Sequence, residues 1–208
     1  MKPYVITIAR QYGSGGRTVG KMLARKLGIP FYNREIITMA SEDSGVNAML
    51  FSDERLKGDF LTRLRAHYHG NTPVPNDSSK SYLKDEALFT YQVKIIRRLA
   101  DQGPCVMIGR CADYILRDHP RTVNIFIAAG RAERIERLCR LHGIAPGEAE
   151  SLMDRTDARR AAYYNYYSSG TWGMAETYDL CIDSSVLGID GTTGFVLEFV
   201  ERKLGVKP

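Results

Sequence analysis

Residues 11–18 constrain this chain more than any other segment. They read Q-Y-G-S-G-G-R-T and follow, after Arg10, the β-branched run YVITIA at residues 4–9. Such a run predicts a buried strand. From Gly16 onward, Val19, Met22, Leu23 and Leu27 recur at helical spacing, with Gly28 placed to end the helix. A glycine loop between a strand and a helix lets successive backbone N–H groups curl toward one point, and the helix N-terminus adds positive potential there. Against the pattern G-x-x-x-x-G-K-[ST], the closing part aligns as Gly16, Arg17 and Thr18, while Gln11 stands for the first glycine and Arg17 for the lysine. The spacing predicts a phosphate cradle formed by Gly13, Ser14, Gly15, Gly16, Arg17 and Thr18. The Arg17 charge would lie on phosphate oxygens and the Thr18 hydroxyl on Mg²⁺. A merely flexible glycine turn is the plain alternative. A dinucleotide site fits less well: Glu35 stands where a ribose-binding acid belongs, but the third glycine is missing.

The remaining pattern alternates. Apolar runs at residues 29–32, 105–108, 122–128 and 178–183 predict further strands. Between them lie helical faces: Leu88, Tyr91, Ile95 and Leu99; a basic stretch over residues 132–141; a charged and tyrosine-rich stretch over 147–167; and Phe195, Val196, Phe199, Val200 and Leu204, stopped by Gly205. Residues 43–64 look helical but poorly patterned, and residues 69–81 concentrate Gly, Pro, Asn and Ser as a loop does. Strand–helix alternation implies βαβ units and a parallel sheet covered on both faces. No repeat or linker divides the chain, so one domain over residues 1–208 is expected.

The chain has 208 residues, 44% of them hydrophobic and 25% charged. That composition excludes a disordered or coiled-coil chain. No apolar run approaches the roughly 20 residues of a membrane helix, and the N-terminus reads as a strand rather than a signal peptide. Twenty-nine basic residues against 24 acidic ones favour anionic partners. The bases are scattered among acids, which argues for small phosphates over nucleic acid, and no membrane partner is expected. Cys105, Cys111, Cys139 and Cys181 show no metal or disulfide spacing. Free buried thiols in a reducing cytoplasm are the expectation.

The carriers ITIARQYGSGGRTVG at residues 6–20, GRCADYIL at 109–116, DARRAAYYNYY from Asp157, TWG at 171–173 and YDLCIDSS at 178–185 resemble the cytidylate kinase-like family of P-loop nucleoside monophosphate kinases. The resemblance implies a three-layer α/β/α fold with a five-stranded parallel sheet in the order 2-3-1-4-5. It also implies a helical substrate-side insertion over about residues 43–84 and a lid over about 145–172. The activity it implies is transfer of the ATP γ-phosphoryl, with Mg²⁺, to a nucleoside monophosphate such as CMP. Arg110 matches an arginine that helps hold the acceptor nucleotide, but Cys111 replaces the adjacent acid and Asp113 is the nearest carboxylate. Asp157-Ala-Arg-Arg160 fits the lid's Asp-x-x-Arg, which contacts substrate phosphate and sugar. Arg155, Arg159 and Arg160 are expected to close over the transferred group, joining Arg17 as the catalytic cations. Arg131, Arg134 and Arg137 open the helix after the fourth strand. The resemblance would turn Arg134 to the triphosphate, but a solvent-facing arginine is expected. Tyr163, Tyr164, Tyr166, Tyr167 and Trp172 are expected to pack beneath the lid rather than stack a base. Two other functions stay open: a phosphate or nucleotide sensor without turnover, and a kinase acting on a non-nucleotide metabolite.

Overall fold

The structure is a computed structural model that describes residues 3–45, 79–168 and 170–206. Strands β1 (Val5–Arg10), β2 (Phe31–Tyr32), β3 (Cys105–Ile108), β4 (Thr122–Ala128) and β5 (Leu180–Asp183) form one sheet in the order β2-β3-β1-β4-β5. Every neighbouring pair is parallel, with Val5 opposite both Cys105 and Thr122 and Ile8 opposite both Ile108 and Ile125. Helices α1 (Gly16–Leu27), α2 (Glu35–Ser44), α3 (Ser79–Gln102), α4 (Ala112–Ile115), α5 (Arg131–His142), α6 (Pro146–Tyr167) and α7 (Ser184–Leu204) connect and cover the strands. The substrate-side insertion expected over residues 43–84 lies almost wholly outside the described residues.

The three layers follow from the period of two along each strand. Ile6, Ile8, Val106, Ile108, Ile125 and Ile127 point to the face covered by α1 and α7, where Val19, Leu23, Val196 and Val200 meet them. Val5, Cys105 and Met107 point the other way, into a cluster with Ile36 of α2, Ile95 and Leu99 of α3 and Ile115 of α4. Each of these strand residues is at most 1% exposed, so both sides of the sheet are dry. Burial on both faces explains why the strands read as unbroken apolar runs. One polar rung crosses the sheet, where Thr7 Oγ1 donates to Asn124 Oδ1 at 2.7 Å.

Helix ends follow their residues. Gly28 closes α1 in the left-handed conformation, its N–H turned back to the carbonyls of Ala24 and Arg25. Asp183 caps α7 by accepting the Ser185 N–H at 2.8 Å. Several boundaries differ from the sequence expectation, among them β2, which is confined to Phe31–Tyr32 rather than residues 29–32. β5 begins at Leu180 because residues 175–177 form a short 3₁₀ turn. The final helix begins at Ser184 and bends at Gly188, whose backbone there (φ 64°) is non-helical. The thiols also need correcting. Cys105 and Cys111 are buried, but Cys139 is half-buried and Cys181 exposed. β5 is an edge strand whose alternate residues face outward, which puts Cys181 at the surface. Burial pushes the Cys105 thiol up to about 12.

Candidate active site

β1 delivers the chain to the carboxyl edge of the sheet, where α/β folds bind their ligands. Gln11 prolongs the ladder, its N–H donating to Ile127 O at 3.0 Å. Its side chain accepts the Ala129 N–H at 3.1 Å, which ties the loop to the end of β4. This is what a glutamine gains in a place where a glycine is common. Ser14, fully buried, donates to Gln11 O at 2.8 Å and lies 3.4 Å from the Gly16 N–H as its acceptor. Gly13 and Gly15 have φ of 81° and 79°, a region that favours glycine. A Cβ on Gly13 would also stand 2.9 Å from the Arg134 carbonyl oxygen, and one on Gly16 would stand 2.7 Å from Arg10 Cβ. The loop therefore needs its glycines for conformation and for space, which a merely flexible turn does not require. Arg17 and Thr18, in the first turn of α1, are exposed. Curled backbone, helix start, exposed cation and exposed hydroxyl together suit a polyphosphate with a hard divalent cation.

Side chains from three other helices hold this loop from behind. The Tyr12 N–H donates to Asp157 Oδ1 of α6 at 2.7 Å. Arg134 of α5 donates to Asp157 Oδ2 at 2.5 Å and to the Tyr12 carbonyl at 3.3 Å. Arg137 Nη1 donates to the Gly13 carbonyl. Ser184 of α7 donates to the Ser14 carbonyl at 2.6 Å, with the Ala128 carbonyl at 3.1 Å as its alternative acceptor. Arg160 Nη1 donates to Arg10 O at 3.0 Å, and its guanidinium lies 5.3 Å from the Tyr12 ring centroid. The Tyr12 hydroxyl meets His142 Nε2 at 3.0 Å. The expectation that Arg134 faces solvent is wrong: the residue is 6% exposed. Its neutralising partner, Asp157, lies 23 positions away on the next helix, so periodicity within α5 does not reveal the burial. Further along α6, Arg155 is exposed, while Arg159 is half-buried with Nη2 at 3.4 Å from Thr156 Oγ1.

A pocket opens beside the loop at the ends of β1 and β3. Arg10, Arg110 and Arg160 line it, with Asp113, Tyr163 and Trp172. Its described walls enclose about 30 Å³, far below the roughly 300–1,000 Å³ of clefts that swallow whole small ligands. Gly109, Arg110 and Cys111 leave β3 with φ of 66°, 63° and 54°. Left-handed backbone costs a non-glycine residue roughly 1–2 kcal/mol, so two strained residues stand side by side here. That turn brings Arg110 to the pocket and buries the Cys111 side chain, which is 2% exposed. Asp113, in α4, is 5% exposed and accepts the Tyr164 hydroxyl proton at 2.7 Å. Burial holds its carboxyl above the usual range, against the lowering effect of the Tyr164 bond. Burial and the Asp113 charge in turn raise the Tyr164 hydroxyl. Tyr167 stacks on Phe89 of α3 at 4.0 Å, Tyr163 donates to Gln92 at 3.3 Å, and Trp172 meets Phe126 edge-on at 5.3 Å, while Tyr163, Tyr164 and Trp172 also line the pocket. Among the described residues, no group of three or more His, Cys, Asp or Glu side chains is placed to hold a metal.

The structure thus brings Gly13–Thr18, Arg110, Asp113, Asp157 and Arg160 to one edge of the sheet, while Arg155 and Arg159 do not line the pocket. Arg10 and Ser184 belong to the same site but were not singled out from sequence, while Gln11 was read only as a departure from the loop pattern and Arg137 only as one of the arginines opening its helix. Their readable signals are slight: Arg134 and Arg137 share a helix face, and Ser184 opens the helix after the last strand.

Comparison with known proteins agrees with this fold. A curated relative, the cytidylate kinase of Ignicoccus hospitalis (strain KIN4/I / DSM 18386 / JCM 14125), is 22% identical over 202 residues, covering 96% of this chain and 98% of its own. The crystal structure of an uncharacterized protein from Eubacterium ventriosum ATCC 27560 is similar at a TM-score of 0.70 and 26% identity, over 95% of this chain and 98% of the other. A gluconokinase from Sinorhizobium meliloti 1021 shares the fold at a TM-score of 0.51 and 16% identity, over 98% of this chain and 95% of the other. The model of the cytidylate kinase-like family matches residues 5–186, and with its loop, sheet order and coverage this chain belongs to that family.

Proposed function

We propose that this protein transfers the γ-phosphoryl group of ATP to a nucleoside monophosphate, most simply CMP. The observation that carries the reading is the junction at Arg10. There a glycine loop with exposed Arg17 and Thr18 abuts a pocket lined by Arg10, Arg110 and Arg160. Two anion sites side by side are what transfer between two phosphates requires. The backbone of Gly13–Thr18 cradles the triphosphate, Arg17 reaches the β/γ oxygens, and the Thr18 hydroxyl is the protein's ligand to Mg²⁺. Bound Mg²⁺ supplies charge neutralisation on the phosphates. Arg110 holds the acceptor phosphate, Asp113 and Asp157 orient polar groups of the substrate, and Arg155, Arg159 and Arg160 line the lid over residues 145–172. No general base is called for, because a phosphate acceptor is already anionic. The free thiols suit a reducing compartment, here the cytoplasm.

Cys111 favours a second reading. In the place beside Arg110 where the family resemblance calls for a base-reading acid, the chain has a buried thiol. That substitution supports a non-nucleotide phosphate or sugar acid as acceptor on the same scaffold. A panel of acceptors with ATP and Mg²⁺ decides among the readings. Turnover of CMP above the other nucleotides and above hydroxy and sugar acids is expected. Turnover confined to non-nucleotides overturns the CMP assignment, and tight ATP binding with no turnover across the panel means a sensor.

A further inference from the structure

The three consecutive carbonyls of Tyr12, Gly13 and Ser14 each accept a donor from outside the loop: Arg134, Arg137 and Ser184 respectively. Peptide carbonyls and N–H groups point in opposite directions, so tying the Tyr12 and Ser14 carbonyls outward commits the Gly13 and Gly15 N–H groups to the inner face of the loop, while the Ser14 N–H turns back to the Gln11 carbonyl at 3.3 Å. The donors come from two helices, α5 and α7, which pack on the structure independently of any ligand. We propose that Arg137 and Ser184, with Arg134, are positioning residues that hold the phosphate cradle in its binding shape before phosphate arrives. This inference rests on the reading of residues 13–18 as a phosphate cradle.

Charge places the three donors differently. Arg134 is balanced by Asp157, which also accepts the Tyr12 N–H, so that peptide is clamped from both sides. Ser184 is neutral and fully buried. Arg137 is the informative one. Its Nη1 lies 3.5 Å from where a Cβ on Gly15 would stand, so the guanidinium sits against the loop itself. A cation there suggests direct attraction to phosphate, yet the same Nη1 is spent on the Gly13 carbonyl. Holding a carbonyl needs an N–H donor and not a charge. The two roles therefore separate by substitution.

The test is calorimetric titration of inorganic tripolyphosphate, which reads the cradle without a base or sugar, into the wild-type protein and three variants checked by thermal melting. Arg137→Met should weaken binding by about tenfold, the scale of a lost hydrogen bond with a charged partner. Arg137→Gln, which keeps an N–H donor but no charge, should recover to within about threefold of wild type. Equal losses in Arg137→Gln and Arg137→Met mean that the charge acts on phosphate directly and overturn the positioning role. Wild-type affinity in Arg137→Met overturns it as well. Ser184→Ala removes a donor without touching charge and should weaken binding severalfold; unchanged affinity there overturns the proposal even where the Arg137 variants melt. A wild-type protein that binds no tripolyphosphate defeats the cradle reading itself, a result distinct from the others.

Discussion

The glycine loop and the arginine pocket meet at Arg10, yet they are made of different material. The loop is a backbone site. Its shape comes from positive φ at Gly13 and Gly15 and from carbonyls tied to α5 and α7, and the groups it offers inward are peptide N–H groups. The pocket is a side-chain site. Three arginines, a buried carboxyl and aromatic rings from β1, the β3–α4 turn, α4, α6 and the segment after it converge there. A backbone site recognises whatever is anionic and of phosphate size, and is indifferent to what the phosphate is attached to. A side-chain site is where one acceptor is told from another, since a misplaced or missing polar partner there is penalised. The difference implies that donor chemistry is fixed by the loop and substrate identity by the pocket. Substitutions should divide along that line.

The largest expected effect lies where the two regions are bolted together. Asp157 neutralises Arg134 at 2.5 Å while the two side chains are 16% and 7% exposed. Asp157→Ala leaves a buried guanidinium unpaired and should lower folding stability by about 3–5 kcal/mol. Replacing both partners, as in Arg134→Met with Asp157→Leu, should recover most of that loss, because the isolated charge is what is costly. Denaturant titration of the two variants checks it. A small loss in Asp157→Ala would mean that the bolt contributes little and that loop and α6 are energetically separate.

Next come the paired substitutions that set loop against pocket. Arg17 is exposed, so Arg17→Ala should leave the melting temperature nearly unchanged while reducing kcat about 10²–10³-fold, the scale of a lost charge stabiliser. Arg110→Ala should instead raise the acceptor KM about tenfold, with ATP affinity preserved. Steady-state kinetics against each substrate separately reads the split. If Arg110→Ala weakens ATP as much as acceptor, the two sites are one and the comparison fails.

The same contrast explains how much was legible in the sequence. Backbone sites are written locally: a strand, three glycines, Arg17 and Thr18 lie within a few positions, and the loop follows from steric rules that act on neighbours. The strands were legible too, because burial on both faces leaves unbroken apolar runs such as TVNIFIA. The sheet order came from the family resemblance, since periodicity does not say which strand lies beside which. Side-chain sites are assembled across the chain and hide accordingly. Arg134 looks like any arginine on a basic helix until Asp157 arrives from the next one. The left-handed pair Arg110–Cys111 defies residue preference, and the bend at Gly188 hid the first turn of α7 from helical periodicity. Strain of that kind is imposed by the surrounding fold, so local preference misses it.

The smallest expected effect sharpens the comparison from inside the pocket. Asp113 is buried, and burial holds its carboxyl above the usual range, whereas the loop's N–H groups do not titrate. With the folded-state value raised above the unfolded one, the folded protein binds the proton more tightly. The stability this contributes is fully present below the ordinary carboxylate range and is lost as pH rises through the raised value. Wild-type stability should therefore fall with rising pH across that window relative to Asp113→Asn, which carries no titrating group. Tyr164→Phe removes the hydroxyl that stabilises the carboxylate, which should carry the window to higher pH. It should also weaken the fold by about 1–3 kcal/mol once Asp113 is ionised, the cost of a buried acceptor left without its donor. Urea titrations of the three proteins at a series of pH values read the slopes directly. Parallel slopes for wild type and Asp113→Asn would mean that Asp113 is solvated like a surface acid. In that case the pocket is wetter than the burial of Asp113 suggests, and substrate selection passes to the arginines alone.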